Sequence, residues 1–376
     1  MAKYKVSFIN DSYRRQWKKW GKQFLKAIDR CGKRGDYVLR KDVLEFEEKL
    51  AKFTGTKYAV SVNSGTDALK LSLVALGIGK GDEVITTGHT FIASIQEIVH
   101  CGATPILIDI GEDGLMNCDL IEPAITSRTK AIMPVHLSGK VCDMTEIIKI
   151  ARKYKLKVIE DACQSLGAKW NGKMSGSIGD TGCFSFISPK LMGGLGDNGA
   201  IVTNRKDIYE KLLLLRNHYN ITQGALHGHQ PVQPKEMGWG FNSRMDNIQA
   251  AVLNLKFKYY PWILKRRRQI GMMYNKGLKG LPITLPIQQP EQVYQEFIIQ
   301  VPERKQEFMK HMEKCGVELL VRDTVPNHKL LGLNLSHFSL PITEYMANKV
   351  VRLPTTPEMT DKEVRYVIKS IRKFYE

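Results

Sequence analysis

The sequence has no unbroken apolar stretch of the roughly 18 residues that a membrane-spanning helix requires, and no leader-like opening segment. Both absences point to a cytoplasmic protein with no membrane partner. It also has no C-x-x-C and no Cys and His set at zinc-binding spacing. Its seven cysteines (Cys31, Cys101, Cys118, Cys142, Cys163, Cys183 and Cys315) are odd in number and widely scattered, as expected in a reducing compartment, and imply no metal site. Internal repeats are not visible. No basic stripe with interleaved aromatics and no helix-turn-helix segment stands out, which weighs against nucleic acid although the formal net charge is +18. The excess of Lys and Arg suits small acidic ligands better.

What is present is ordinary globular material. The 376 residues are 43% hydrophobic and 25% charged, enough for two domains or for one large α/β domain with an appendage. The first 250 residues alternate β-branched runs (58–61, 83–86, 105–109, 131–135, 157–160, 183–186 and 200–203) with helical patterns such as 66–76, 92–100 and 144–154. That alternation describes βα units around a mostly parallel sheet, whose ligands bind at the carboxyl ends of the strands. Met245, Ile248, Val252 and Leu255 lie near helical spacing, so a long helix is expected over 243–274, with Pro261 kinking or interrupting it. Beyond Gly280-Leu281-Pro282 the pattern gives a strand (297–301), a helix (305–315), a further short strand and a terminal helix from Thr360. The expected division is a large α/β domain over 1–255, with an N-terminal helical segment, and a small α+β domain over 256–376.

The chemistry centres on two strand ends. Val158-Ile159 leads into Glu160-Asp161-Ala162-Cys163-Gln164, and 29 positions beyond Asp161 the run Phe184-Ser185-Phe186-Ile187-Ser188-Pro189 ends in Lys190, beside glycines. Either charge alone reads as a solvated loop residue. Together they offer a lysine for a Schiff base and a carboxylate to hold the pyridine nitrogen of pyridoxal phosphate (PLP) protonated. Asn63-Ser64-Gly65-Thr66-Asp67 places a glycine turn ahead of a helix, which suits a phosphate or merely a helix cap.

These pieces jointly resemble the DegT/DnrJ/EryC1/StrS family of PLP-dependent sugar aminotransferases, over nearly the whole chain. Matching stretches include Val43-Leu44-Glu45-Phe46-Glu47, Ser64-Gly65-Thr66-Asp67-Ala68-Leu69, Thr90-Phe91-Ile92-Ala93, Val135-His136-Leu137-Ser138-Gly139, Glu160-Asp161-Ala162-Cys163-Gln164, Gly240-Phe241-Asn242-Ser243-Arg244 and Leu353-Pro354-Thr355-Thr356-Pro357. The resemblance implies an α/β, fold-type I PLP-dependent transferase with a mostly parallel central sheet. It implies Lys190 as the cofactor-bound lysine, Asp161 at the pyridinium nitrogen, Gln164 by O3′, Phe91 stacked on the ring, and Gly65, Thr66 and Ser185 on the phosphate. Asn242 matches an asparagine that reaches the phosphate from a neighbouring subunit, which implies a homodimer with shared active sites. Glutamate or glutamine is the implied donor, and a nucleotide-linked keto-sugar, aminated at C3 or C4, the acceptor. Family members that dehydrate sugars carry histidine at the lysine position, so Lys190 argues for transamination.

Other features read less sharply. Gly194-Leu195-Gly196-Asp197-Asn198-Gly199 fits G-x-G-x-x-G but precedes a strand where a dinucleotide fingerprint opens a helix. His227-Gly228-His229 lacks a third metal ligand. His136 either faces the cofactor or satisfies a backbone carbonyl, and Lys265-Arg266-Arg267-Arg268 is expected on the wet face of a helix or against a diphosphate. His218, Arg322 and His328 are the substrate candidates. The chain departs from the family pattern at Leu39-Arg40 and at Arg322-Asp323-Thr324, near the expected substrate. A cyclitol or long-chain keto-sugar acceptor, or a PLP-fold regulator that binds nucleic acid, are the competing readings.

Overall fold

The structure, a computed structural model, describes residues 4–8, 10–219, 237–322 and 324–376. His227 and His229 lie outside these residues, as does Asp323. In chain order the large lobe runs α1 (Asn10–Arg34), α2 (Lys41–Thr54), β1 (Tyr58–Val62), α3 (Gly65–Ala75), β2 (Glu83–Thr87), α4 (Ala93–His100), β3 (Thr104–Ile108), β4 (Thr129–Ile132), α5 (Met144–Tyr154) and β5 (Lys157–Asp161). A small hairpin, β6 (Lys169–Trp170) with β7 (Lys173–Met174), precedes β8 (Thr181–Ser185), β9 (Gly199–Thr203) and α6 (Lys206–Leu215). The long α7 (Asn247–Leu278) leads to β10 (Phe297–Gln300), α8 (Lys305–Lys314), α9 (Pro341–Lys349), β11 (Val350–Leu353) and α10 (Asp361–Tyr375).

The main sheet has seven strands in the order β1-β9-β8-β5-β4-β2-β3. Six share one direction, and β9 runs against both β1 and β8. Period-two alternation decides which side chain meets which helix layer. Val158 of β5 and Ala200 and Val202 of β9 pack with α2, α5 and the first half of α7, whereas Ile159 and Ile201 pack with α3, α4 and α6. Both faces are therefore covered, and the carboxyl ends of β1, β2, β4, β5 and β8 are left as one open edge. Here β4 ends earlier than the sequence pattern suggests: Pro134 has no N–H to extend the ladder, and Val135 makes only an isolated bridge to Asp161.

A second core is built from the distal half of α7 (Ile270, Tyr274, Leu278), the β10–β11 pair, α8 and α10, with Val6 joining from the N-terminal end. The terminal helix starts as expected, at a Thr360 N-cap with a reciprocal Glu363 capping box. Two readings of α7 need correction: an interruption at Pro261 and a wet face over Lys265 to Arg268. The helix is not interrupted at Pro261, because the turn around it is fixed by buried Tyr260, Ile263 and Leu264. The run Lys265 to Arg268 is not a wet face, since four consecutive residues at 100° each span most of a helix circumference. Arg267 is buried and donates to the carbonyls of Tyr294, Gln295 and Thr355, Arg268 to those of Gln292, Glu291 and Gly167, and Arg266 to Met359. The arginines lace the long helix to the small lobe.

Candidate active site

A cavity of about 420 Å³ opens at the carboxyl edge of the sheet and is closed from the other side by the small lobe. Parallel pairing of β5 with β8 puts Asp161 beside Cys183, so both strands deliver their ends to the same place. Asp161, at the end of β5, is buried. Its Oδ2 accepts from Ser94 Oγ at 2.7 Å, and its Oδ1 accepts from the N–H of Cys163 at 3.1 Å. Ser94 is itself 2.7 Å from Thr90 Oγ1, whose hydroxyl supplies the next proton in the chain. A carboxylate held by two donors in a buried setting is fixed in orientation.

Lys190 follows β8 in a tight turn, with the N–H of Gly193 on its carbonyl at 3.0 Å. Its side chain lines the same cavity and has no hydrogen-bond or ion-pair partner among the described residues. Cys163 lines the cavity too, but burial, followed by the charge of Asp161, holds its thiol well above the ordinary value and leaves it a poor nucleophile.

The first turn of α3 forms another wall. Ser64 caps the helix by accepting from the N–H of Asp67, and the N–H groups of Gly65 and Thr66 have no acceptor among the described residues. A Cβ on Gly65 would come within 2.7 Å of Ser185 Cβ and 3.0 Å of Cys163 Sγ, so only glycine lets the three segments meet. Phe91 stands at the cavity with its ring 62% exposed, free to cover a planar group. Gln164 is oriented by the N–H of Ser138, which donates to its Oε1 at 3.0 Å.

Taken together, the cavity holds free N–H groups at a helix start, a buried acceptor-only carboxylate, an unpartnered amine and an open aromatic face. That donor set fits a phosphorylated pyridine aldehyde. Over residues 18–372 the chain matches the DegT/DnrJ/EryC1/StrS aminotransferase family. It belongs to that family. Solved relatives exist in PLP and PMP forms, and the chain is a PLP-dependent aminotransferase. It is 39% identical over 361 residues to the dTDP-3-amino-3,6-dideoxy-alpha-D-galactopyranose transaminase of Aneurinibacillus thermoaerophilus, covering 95% of this chain and 96% of that protein. It is 32% identical over 370 residues to a pleiotropic regulatory protein of Geobacillus stearothermophilus, covering 96% of each. Among solved structures it is similar to S. venezuelae DesV in complex with a ketimine intermediate, with a TM-score of 0.90, 35% identity and coverage of 99% and 98%.

Eight residues singled out in the sequence meet at the aminotransferase cavity: Gly65, Thr66, Phe91, Asp161, Gln164, Ser185, Lys190 and Arg322. Three do not. Asn242 and His218 are exposed and do not line it, and residues 217 and 242 form an isolated bridge. His328 is fully buried with Nε2 2.9 Å from Glu344. His136 meets neither of its two expectations cleanly. It lines the cavity wall but is spent on Glu160, 2.9 Å from Nε2, while the N–H of Cys142 points at Nδ1 from 3.2 Å. Nδ1 is therefore an acceptor and the ring proton sits on Nε2. Glu160 faces away from Asp161 across the strand and gathers the N–H groups of Gly176, Ile178 and Gly179.

Sequence reasoning missed several residues in the cavity wall or directly behind it. Ser94 and Thr90 carry no spacing signal that ties them to Asp161. Glu296 and Arg352 come from the paired strand region of the small lobe, where Arg352 Nε lies 2.8 Å from Glu296 and Arg322 adds a second cation. Burial pushes the Glu296 carboxyl up, but Arg352, Arg322 and Lys190 outweigh it and hold it below the ordinary range. The departure of this chain at Arg322 was the one visible hint.

Proposed function

We propose that the chain transfers an amino group from glutamate, or glutamine, to the C3 or C4 keto group of a nucleotide-linked deoxysugar, supplying an aminosugar for surface polysaccharide or natural-product biosynthesis. The observation that carries the reading is the unpartnered Lys190 amine in one cavity with the donor-held carboxylate of Asp161. The dTDP-aminosugar transaminase similar over nearly its full length supports the substrate class.

Lys190, Gly65, Thr66, Ser185, Phe91, Gln164 and Asp161 are the residues that would hold PLP. When bound, PLP supplies an electron sink for the pair left on the carbon beside the donor nitrogen. Asp161 would hold a proton at the ring nitrogen, and Ser94 and the Cys163 N–H keep its carboxylate aimed. The Lys190 amine, once free, would take the proton from the donor carbon and return it two atoms further along, on the far side of the donor nitrogen. Phe91 covers the ring face and excludes water. Arg322 and Arg352, on the small-lobe wall, face the acidic portions of donor or sugar nucleotide.

Asn242 lies outside the cavity of its own chain, which supports its use in the site of a second copy and hence a homodimer. The enzyme reading is favoured over a PLP-fold regulator because a sensor needs no amine kept free. The test is a panel of nucleotide-linked 3-keto and 4-keto sugars offered with glutamate, read by product mass and NMR. Turnover of a keto-sugar is expected, and its loss together with the cofactor's visible absorbance in Lys190→Ala. Amination of cyclitol ketones alone would sink the substrate assignment.

A further inference from the structure

The +18 charge is not evenly spread. Helix α1 alone carries nine Lys and Arg against two Asp in 25 residues. Five of the nine, Arg14, Lys18, Lys22, Lys26 and Arg30, recur at every fourth position, are all exposed and form no ion pair among the described residues. They make a row about 24 Å long at 1.5 Å per residue, which winds by about 40° per step around the exposed side of the helix. Successive like charges at i,i+4 oppose helix formation, and the only acidic side chain described on this face, Asp29, is taken by Lys33. The opposite face of α1, with Trp20, Phe24, Ala27 and Cys31, is buried against α7 and holds the helix in place. Nothing among the described residues uses the cationic row, and it works against the helix that bears it.

Apolar surface accompanies the cations. Leu25 is 54% exposed within the row, Trp17 is 47% exposed on one flank, and on the other Trp262 of α7 is 39% exposed beneath the ammonium of Lys19, 4.2 Å from its ring. We infer that the outer face of α1 docks the enzyme on an anionic membrane surface, with the cationic row over lipid headgroups and Trp17, Leu25 and Trp262 at the interfacial level. Cations beside half-exposed tryptophans match a charged bilayer interface. A second copy with α1 on the two-fold axis would not cover this face, because that pairing sets the row against itself. A nucleic acid would meet the row but leave the leucine and tryptophans without a role. The lack of a spanning helix among the described residues concerns crossing a bilayer, not lying on one.

The test is co-sedimentation of the holoenzyme with phosphatidylcholine vesicles, with and without phosphatidylglycerol. Binding is expected only to the anionic vesicles and should weaken as salt rises. The triple variant Lys18→Glu, Lys22→Glu, Lys26→Glu should partition at least about tenfold less, with unchanged turnover in solution and a melting temperature no lower than wild type. Trp17→Ala with Leu25→Ala should weaken vesicle binding while leaving retention on a duplex-DNA column unaltered. The inference falls if wild-type enzyme ignores anionic vesicles, if the triple variant binds them equally well, or if duplex DNA at the same salt binds tighter than vesicles.

Discussion

The ammonium of Lys256, on α7, donates to the carbonyl of Gly193, three residues beyond Lys190. It also reaches Gln16 Oε1 of α1 at 3.2 Å, so one buried cation ties both long helices to the turn that carries the catalytic amine. The turn has little freedom, since a Cβ on Gly193 would lie 2.1 Å from the Ser188 carbonyl. Lys256→Met keeps the volume and removes the tether. Retained cofactor binding is expected, with a donor half-reaction slowed by roughly ten- to a hundredfold, as for a small misplacement of a reacting group. Stopped-flow spectra of the loaded variant check this, and an unchanged rate would leave the tether without a catalytic role.

The same lysine sets a pH dependence. Burial lowers its pKa from 10.5 to about 8. Between those values the unfolded chain binds the proton that the folded chain has released, so stability rises with pH across that window and the full cost is present below it. The contribution is on the order of 3 kcal/mol. Subtracting the urea-unfolding free energies of Lys256→Met from wild type should leave a difference that climbs from pH 8 towards 10. A flat difference would place the ammonium in contact with water.

Ser94 is a positioning residue for Asp161. Removing a hydroxyl that donates to a buried carboxylate costs about 1.5–3 kcal/mol. Ser94→Ala should therefore slow proton transfer from the donor roughly ten- to a hundredfold while PLP stays bound. Asp161→Asn removes the charge itself and should cost at least an order of magnitude more. Single-turnover rates with glutamate distinguish the two, and equal losses would mean that Ser94 does more than orient.

The sequence pattern located the strand ends and thereby most of the cavity, because period-two burial and βα alternation are local signals. Asp161, Lys190 and the Gly65 turn were legible for that reason. Glu296 and Arg352 were not: Arg352 is one polar residue among apolar strand neighbours, Glu296 lies just ahead of a strand, and only the β10–β11 pairing, in which Ile298 and not Glu296 is the partner of Arg352, brings the two together. Arg267 was misread because a charge run was assigned to one face although a helix turns 100° per residue. Pro261 was over-weighted, since burial of its neighbours holds the helix where local propensity opposes it.

A buried ion pair anchors the last residues of β1 in the large lobe. Arg216 and Glu47 are both almost fully buried and in contact, and Glu47 also accepts from the N–H and hydroxyl of Ser61 at 2.8 and 2.7 Å. Removing one partner strands the other charge, so Glu47→Ala should destabilise by about 3–5 kcal/mol. Replacing both with apolar residues should cost less. Chemical unfolding of the two variants checks the order, and a single variant no worse than the double would show that water reaches Arg216.

Gly65 joins the fold to the cofactor. It opens α3, its N–H is free, and the nearest neighbours of an added methyl are Ser185 and Cys163, which belong to two other segments of the same wall. A methyl there pushes the helix start away from β8 and opens the arc of donors, without touching the main cores. Overpacking of this kind costs about 1–3 kcal/mol. Because the displaced groups are those that would meet the phosphate, the loss should appear in cofactor affinity, by about tenfold or more, ahead of any change in the melting temperature of the apoprotein. Fluorescence titration of apo Gly65→Ala with PLP, beside its thermal melt, separates the two effects. A lowered melt with unchanged affinity would place the phosphate elsewhere and move the anion site off the start of α3.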